Sequence, residues 1–323
     1  MRSAITDLVV AIVNHSNRDD TLACLESLRG DAERGVSVRV VVLDNASDDG
    51  SVEAIRRAHP DVEVIAQEVR RGFGASQNAI IQATSSRYVL ALNNDTLVEH
   101  GALDTLVSYL DEHPAVGAAG PRVVGPGGEA QLSAWTFPTV WNAAVHVVAG
   151  SRPAGHAPAE VGYVSGCALM LRRSVLTQIG GFDEDYFMYA EEKDLCRRIH
   201  DAGYTVELVP SASVVHLEAR SSTGASARRE TEFWRSQRLY LRKHHSAAGA
   251  LAIETQTALQ RLALAAVVGV AGALPARLRP RETTPGLARQ LARQARSSLL
   301  PPHGPGLREL ADEQNARLRR VAS

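Results

Sequence analysis

From Gly180 to Leu195 the sequence reads Gly-Gly-Phe-Asp-Glu-Asp-Tyr-Phe-Met-Tyr-Ala-Glu-Glu-Lys-Asp-Leu. Six carboxylates, on Asp183, Glu184, Asp185, Glu191, Glu192 and Asp194, stand around Tyr186, Phe187, Met188 and Tyr189. A carboxylate against apolar walls has a raised pKa and can serve as a base near neutral pH. The same acids also suit a polar turn leading into a first helical turn, where the macrodipole favours negative charge. Asp95 follows a hydrophobic run and two amides, Asn93 and Asn94, and a carboxylate at a strand end can hold a hard divalent cation. A plain Asn-Asp turn accounts for it equally. Asp44 ends another run and could accept a ring N–H of a nucleobase, or close an Asx-turn. His216 ends Val214-Val215-His216; a histidine so placed is a ligand candidate or a packed residue. Arg71-Gly72-Phe73-Gly74-Ala75-Ser76 could lead backbone N–H groups to a phosphate at a helix N-terminus. It is no dinucleotide fingerprint, since it does not follow the first strand and lacks the third glycine at its spacing.

These residues need a scaffold, and the first part of the chain predicts one. Leu8–Val13 is a near-continuous apolar run, as expected of a buried parallel strand. Further strands are expected at Val38–Leu43, Val62–Ala66 and Tyr88–Leu92. Helices are expected at Asp19–Arg29, Ser51–Ala58, Ser76–Thr84 and Gly101–Glu112. That alternation implies an α/β fold with a doubly wound, mostly parallel sheet flanked by helices. Ligands of such sheets bind at the carboxyl ends of the strands. Polar clusters fall at three of those ends: Asn14 to Asn17, Asp44 to Asp49, and Asn93 to Asp95.

The later part is less regular. Gly120–Gly128 is expected to be turn-rich, and Ala149–Ala159 an exposed loop. Strand then helix are expected at Tyr163–Leu171 and Arg172–Ile179, a helix at Glu192–Ala202, and short strands at Thr205–Val209 and Ser213–His216. Ser221–Ser226 reads as a mobile loop, Arg229–His244 and Leu251–Leu274 as helices, and the stretch after Leu300 as a polar helix or a disordered tail. This divides the chain into residues 1–225, carrying the chemistry, and a helical C-terminal extension, residues 226–323.

Composition narrows the class. The 323 residues are 45% hydrophobic and 22% charged, as in a globular protein. The net charge of −1 conceals an asymmetry: from Pro275 onward ten Arg face four acids, a charge of +6. A basic tail on an acidic body points to an anionic surface, membrane or polymer. Leu262–Leu274 is uncharged and apolar but, at 13 residues, shorter than the roughly 20 that span a bilayer. A core helix and an interfacial helix beside the arginines both fit it. Three scattered cysteines suit a reducing compartment, and no signal peptide opens the sequence. The expected location is cytoplasmic, with peripheral contact to the membrane's inner face; nothing points to nucleic acid.

Taken together, the motifs resemble glycosyltransferase family 2, with its GT-A fold, over about Asp7 to Tyr240. Val13-Asn14-His15-Ser16-Asn17 is similar to the family's opening strand end, and Leu43-Asp44-Asn45-Ala46-Ser47-Asp48-Asp49-Gly50-Ser51 to its nucleobase-binding turn. Arg71 to Asn78 resembles its glycine-aromatic segment, and Leu92-Asn93-Asn94-Asp95 stands where the family carries its metal motif. Val164-Ser165-Gly166-Cys167 resembles the segment before the double-glycine turn Gly180-Gly181-Phe182-Asp183-Glu184. Tyr189 to Leu195 stands where relatives carry a Glu-Asp pair, and His216 matches a late histidine. The nearest branch is rhamnosyltransferase-like and builds cell-wall or surface polysaccharides.

The resemblance implies inverting sugar transfer from a dTDP- or UDP-sugar to an acceptor hydroxyl on a saccharide, lipid-linked saccharide or soluble natural product. It implies Glu192 as base with Glu191 its rival. Val13, Asn14, Asp44, Gly72, Phe73, Asn78, Asn93 and Asn94 would line the nucleotide side. Ser165, Gly166 and Asp194 would lie toward the acceptor, with Asp194 orienting it or pairing with an Arg. Asp95 and His216 would hold Mg²⁺ or Mn²⁺. Two departures stand out: the metal motif has a single Asp, and Glu192 replaces the usual Asp, moving the carboxylate by about one C–C bond, where misplacement of about 1 Å affects rate. A nucleotide-sugar-binding protein without turnover remains an alternative. A nucleotidyltransferase would want a basic Gly-rich loop where Asn14-His15-Ser16-Asn17 stands.

Overall fold

The computed structural model describes residues 6–29, 36–139, 159–217, 226–272, 286–300 and 304–322. The first part alternates as its sequence predicts: β1 (Leu8–Asn14), α1 (Arg18–Arg29), β2 (Val38–Asn45), α2 (Ser51–Ala58), β3 (Glu63–Gln67), α3 (Phe73–Ala83), β4 (Tyr88–Asn93), β5 (Thr96–Val98) and α4 (Ala102–Glu112). There follow β6 (Val116–Val124), β7 (Ala134–Trp135), β8 (Ala159–Glu160), β9 (Tyr163–Val164), β10 (Ala168–Arg172), α5 (Arg173–Ile179), α6 (Glu191–Asp201) and β11 (Thr205–His216). Four helices complete the described chain: α7 (Ser226–His244), α8 (Ala247–Gly272), α9 (Leu287–Leu299) and α10 (Leu307–Ala322).

The main sheet runs β3-β2-β1-β4-β10-β6-β11-β5, with β8 beside β11. The block β3-β2-β1-β4 is parallel, as is β6–β11, while β10 runs antiparallel between β4 and β6. The continuous apolar strands follow from burial on both faces. Leu8, Val10 and Ile12 pack toward Cys24, Leu25 and Leu28 of α1 and toward Leu103, Leu106 and Leu110 of α4. Val9 and Ala11 face the opposite layer, with Ile80, Val175, Leu195 and Ile199. A side-chain period of two thus gives no polar alternation when each face has its own helical layer.

Four expectations change. The turn-rich reading of Gly120–Gly128 fails at its start, because β6 continues through Gly120 and Pro121 to Val124. A Cβ on Gly120 would lie 2.7 Å from Val164 Cβ, so here glycine permits close packing rather than a turn. The strand expected at Tyr163–Leu171 breaks at Ser165-Gly166-Cys167, and β11 is one strand, with register shifts after Thr205 and between Val209 and Ser213, rather than two. Helix α3 begins at Phe73, three residues early, with Gly72 as its N-cap. The expected loop at Ala149–Ala159 lies outside the described residues except for its last residue. Ser221–Ser226 lies outside them up to Ser226, which opens α7, as do residues 273 and 274 and the arginines at 277, 279 and 281.

Candidate active site

Strand register brings the first polar cluster together. Asn14 lies opposite Asp44, and Val13 opposite Asn93. Asn14 is fully buried, and its amide donates to Asp44 Oδ1 at 2.8 Å and to Ser47 Oγ at 3.2 Å. Its carbonyl accepts from Thr21 Oγ1 and Asn94 Nδ2, both at 2.9 Å. Asp44 also accepts from Ser47 N and Oγ, at 3.0 and 2.6 Å, closing an Asx-turn in which Ala46 takes φ 59°. This network stiffens the mouth of the sheet. Asn14 and Asn94 thus act on each other and on the turn, while Asn93 ends β4 with its backbone N–H on Cys167 O at 2.9 Å.

Beside it, β5 pairs antiparallel with the end of β11, setting Thr96 opposite His216. This places His216 Nε2 3.3 Å from Asp95 Oδ1, with the two side chains 20% and 15% exposed. Among the described residues no group of three His, Cys, Asp or Glu converges as a metal cage. One carboxylate and one imidazole at a solvent-accessible strand end nevertheless fit Mg²⁺ or Mn²⁺, hard ions that complete their shells with substrate phosphates and water.

The acidic motif is held by its neighbours. Gly180 and Gly181 take φ 86° and 78°, and Asn78 clamps their turn: its amide donates to Phe182 O at 2.8 Å and its carbonyl accepts from Phe182 N at 2.9 Å. Asn78, expected on the nucleotide side, therefore spends its side chain on the acidic turn. Gly72 similarly lies against that segment; a Cβ there would come within 2.8 Å of Phe187 O, which accepts from Phe73 N at 2.8 Å.

Tyr189 and Ala190 are consecutive non-glycine residues with φ 71° and 65°, an uncommon conformation that redirects the chain into α6. Glu191 and Glu192 then occupy the first turn. Glu191 is 6% exposed, and its Oε2 has no hydrogen-bond partner among the described residues. Burial, then the adjacent Glu192, holds its carboxyl far above the usual range. Glu192 is half-buried and also raised by burial, with Lys193 pulling the other way. Two neighbouring carboxylates in a dry site do not both ionise; the more buried keeps the proton. Both carboxyls are pushed up by burial, Glu191 the further of the two, so Glu191 is the one that favours its proton. Gly166 lies against it: a Cβ at that position would be 3.4 Å from Glu192 Cβ and 3.8 Å from Cδ. The break between β9 and β10 thus lays the Gly166 backbone along the Glu192 side chain, with Ser165 tied by its N–H to Ser133 O.

Of the two roles expected for Asp194, the structure contains the ion pair. Asp194 is 1% exposed, bonds Arg198 Nε at 2.7 Å, and accepts from His244 Nε2 at 2.7 Å. Arg198 continues to the carbonyls of Ile179 and Gly181, so one guanidinium ties α6 to the double-glycine turn. Lys193 is buried under Tyr240, 4.3 Å from the ring centroid, and burial depresses its pKa to about 8.

The sequence gives no signal of one set of residues at this site: those on α7 and α10. Besides His244, Lys243 pairs with Asp183 and Asp185, Ser236 Oγ donates to Met188 O, and Gln237 meets Lys193. Helix α7 begins beyond the boundary expected at residue 225 yet packs directly on the acidic motif.

Residues 8–180 match the family model Glycosyl transferase family 2, and residues 151–220 match the N-terminal domain of galactosyltransferase. The chain is 32% identical over 267 residues to N-acetylglucosaminyl-diphospho-decaprenol L-rhamnosyltransferase of Mycobacterium tuberculosis, covering 75% of this chain and 86% of the relative. To rhamnosyltransferase WbbL of Escherichia coli it is 26% identical, over 64% of this chain and 82% of the relative. The mannosyltransferase PcManGT of Pyrobaculum calidifontis, solved with GDP-Man and Mn²⁺, superposes with a TM-score of 0.56 at 19% identity, over 99% of this chain and 87% of that one. GalNAc-T7, solved with UDP, GalNAc and Mn²⁺, gives 0.56 at 17%, over 73% and 48%. The solved structures share the GT-A fold. On a family match spanning more than half its length, the chain belongs to glycosyltransferase family 2.

Proposed function

We propose that the protein is an inverting transferase that moves rhamnose or a similar sugar from a dTDP- or UDP-sugar to an acceptor hydroxyl in cell-wall or surface polysaccharide assembly. The carboxylate pair carries this reading: a buried Glu191 that favours its proton, beside a half-buried Glu192 that lies along Gly166. Glu192 takes the proton of the acceptor hydroxyl as that oxygen bonds to the anomeric carbon. The bond from that carbon to the diphosphate oxygen breaks on the opposite face, and the nucleoside diphosphate leaves with the electron pair. Asp95 and His216 would hold Mg²⁺ or Mn²⁺, which when bound neutralises charge on the departing diphosphate. Asp44 and the main chain from Val13 to Asn14 form the wall on which the nucleotide lies. The names of the relatives favour rhamnose and a lipid-linked acceptor, here a decaprenyl-diphosphate type.

The acceptor class also fits the C-terminal helices. No described helix is long and apolar enough to cross a membrane. Helix α8 nonetheless exposes Leu251, Leu259, Leu262, Leu264, Val267 and Val270, each 48 to 70% accessible. Helix α9 packs beside it and exposes Arg289, Arg293 and Arg296, spaced along one face. Apolar side chains beside arginines suit the surface of an anionic membrane, where lipid-linked acceptors reside. The test is transfer from dTDP-rhamnose to an N-acetylglucosaminyl diphosphate lipid with Mn²⁺ present. Neither transfer nor donor hydrolysis, in a protein that still binds nucleotide, would leave a binding protein instead.

A further inference from the structure

Helix α10 lies outside residues 8–180, and its own sequence shows only an amphipathic polar helix. In the structure it crosses the carboxyl ends of β1, β2 and β3. Its N-terminus is capped by Glu232, whose Oε2 accepts from Leu307 N at 3.1 Å and Arg308 N at 3.4 Å. Leu307 and Ala311 are buried against Phe187, and Arg308 reaches Asp185 O at 2.6 Å. Farther along, Asn315 grips the main chain of Arg70, accepting from its N–H at 2.7 Å and donating to its carbonyl at 3.0 Å. Gln314 donates to Ala46 O at 3.3 Å, in the turn closed by Asp44. The helix is therefore fixed at one end to the acidic motif and at the other to the loops after β2 and β3.

Between α10 and those loops lies a cavity of about 780 Å³, within the 300–1,000 Å³ range of ligand sites. His15, Ser16 and Arg70 line one side, and Gln314 and Arg317 the other. His15 Nδ1 faces Asn45 O at 2.9 Å; a carbonyl only accepts, so Nδ1 carries the proton and Nε2 is left as an acceptor. Burial and the charge of Arg70 hold this ring neutral. Arg70 is half-buried and has no ion pair among the described residues, and the exposed Arg317 has none either. Of the acids lining the cavity, Glu313 pairs with Arg228, Asp48 accepts from Ser16 Oγ, and Glu68 is exposed. Two arginines without carboxylate partners, on opposite walls of one cavity, offer donors to acceptor-rich groups. A pyrimidine nucleotide presents such groups in its ring carbonyls and its phosphates.

We infer that α10 is the outer wall of the donor pocket, and that Arg317 and Arg70 hold the nucleoside end of the donor between them, with its diphosphate running on toward Asp95. This rests on the donor reading above and adds a segment of the chain that the family match does not include. Asn315 and Gln314 are positioning residues, acting by holding α10 against the loops.

The test is calorimetric titration of the full chain with dTDP and with UDP, in the presence of Mn²⁺. Arg317→Ala is expected to raise Kd at least tenfold without lowering Tm, because the side chain is exposed and holds no internal bond. Asn315→Ala is expected to raise Kd as well, since it releases the helix from Arg70. Unchanged affinity in Arg317→Ala overturns the inference while nucleotide binding by the native chain leaves the donor reading standing. Tighter binding in either variant also overturns it, because α10 would then be a plug. A folded native chain that binds neither nucleotide ends the donor reading and this inference together.

Discussion

Replacing each glutamate of the pair in turn separates their roles, because Glu191 is the more buried and its carboxyl is raised the further. Glu191 is buried, its Oε2 is unpartnered among the described residues, and its carboxyl is held well above the usual range by burial and by Glu192. Glutamine resembles the neutral form that Glu191 favours. Glu191→Gln should therefore keep transfer within about tenfold of native, a change of ~1.4 kcal/mol in the barrier. Glu192→Gln keeps the volume against Gly166 but removes the proton acceptor. It should lower kcat by about 10²- to 10⁴-fold, or ~2.7 to 5.5 kcal/mol, with nucleotide affinity unchanged. Stability supplies a second readout. Burial raises Glu191's folded pKa above its value in the unfolded chain, so the native state binds the extra proton. Its stabilising contribution is complete below that unfolded value and is lost as pH rises through the raised folded value. The slope is at most about 1.4 kcal/mol per pH unit in that window. Glu191→Gln should remove this slope. Transfer rates and urea midpoints across pH 4 to 9 measure both effects. A dead Glu191→Gln beside an active Glu192→Gln would refute the assignment and make Glu191 the base.

Other outcomes follow from the same geometry. Asp95→Ala should abolish metal-dependent donor binding and His216→Ala should weaken it; equal nucleotide affinity of the native chain with and without Mn²⁺ in calorimetry would contradict this. Asp194→Ala leaves Arg198 and His244 without their buried partner and should cost about 3 kcal/mol or more, read from denaturant midpoints; a change below 1 kcal/mol would show that the pairing is incidental. The full chain should sediment with anionic vesicles, be released by high salt, and be weakened by Leu259→Ser with Val267→Ser on α8. Equal, negligible pelleting with anionic and neutral vesicles would favour a soluble acceptor.

The strand ends were legible because period and punctuation are local. Leu8–Val13 and Tyr88–Leu92 announce buried strands, and the polar residues that stop them are the ones the register assembles. The Gly180 to Leu195 motif was legible as chemistry, yet the unequal burial of its two glutamates was not. Whether a carboxylate is the base or the buried partner depends on exposure, which for Glu191 and Glu192 differs between adjacent residues on one helical turn. Asn78 and Gly72 carry a second use that their types do not announce: each also fixes the acidic turn. The basic tail was read from net charge alone. Several of its charges are committed internally, Arg308 to Asp185 O among them, while Glu309 and Glu313 pair with Arg235 and Arg228. Nothing local to residues 307–322 records a partner at Arg70, 245 residues away.

That separation sets a timetable. Chains are synthesised at about 5 to 20 residues per second, and their N-terminal units fold first. Asn315 therefore reaches the ribosome roughly 12 to 50 s after Arg70. Closing so long a loop adds little entropy beyond that of a shorter one, since the cost grows only with the logarithm of length. The delay is thus one of supply and not of stability. Once β11 has emerged, the sheet can be complete while its mouth beside β1, β2 and β3 still has no lateral wall. A nascent chain would present the Asp44 turn and the Arg70 loop bare to solvent, and chaperones would meet this edge before any donor does.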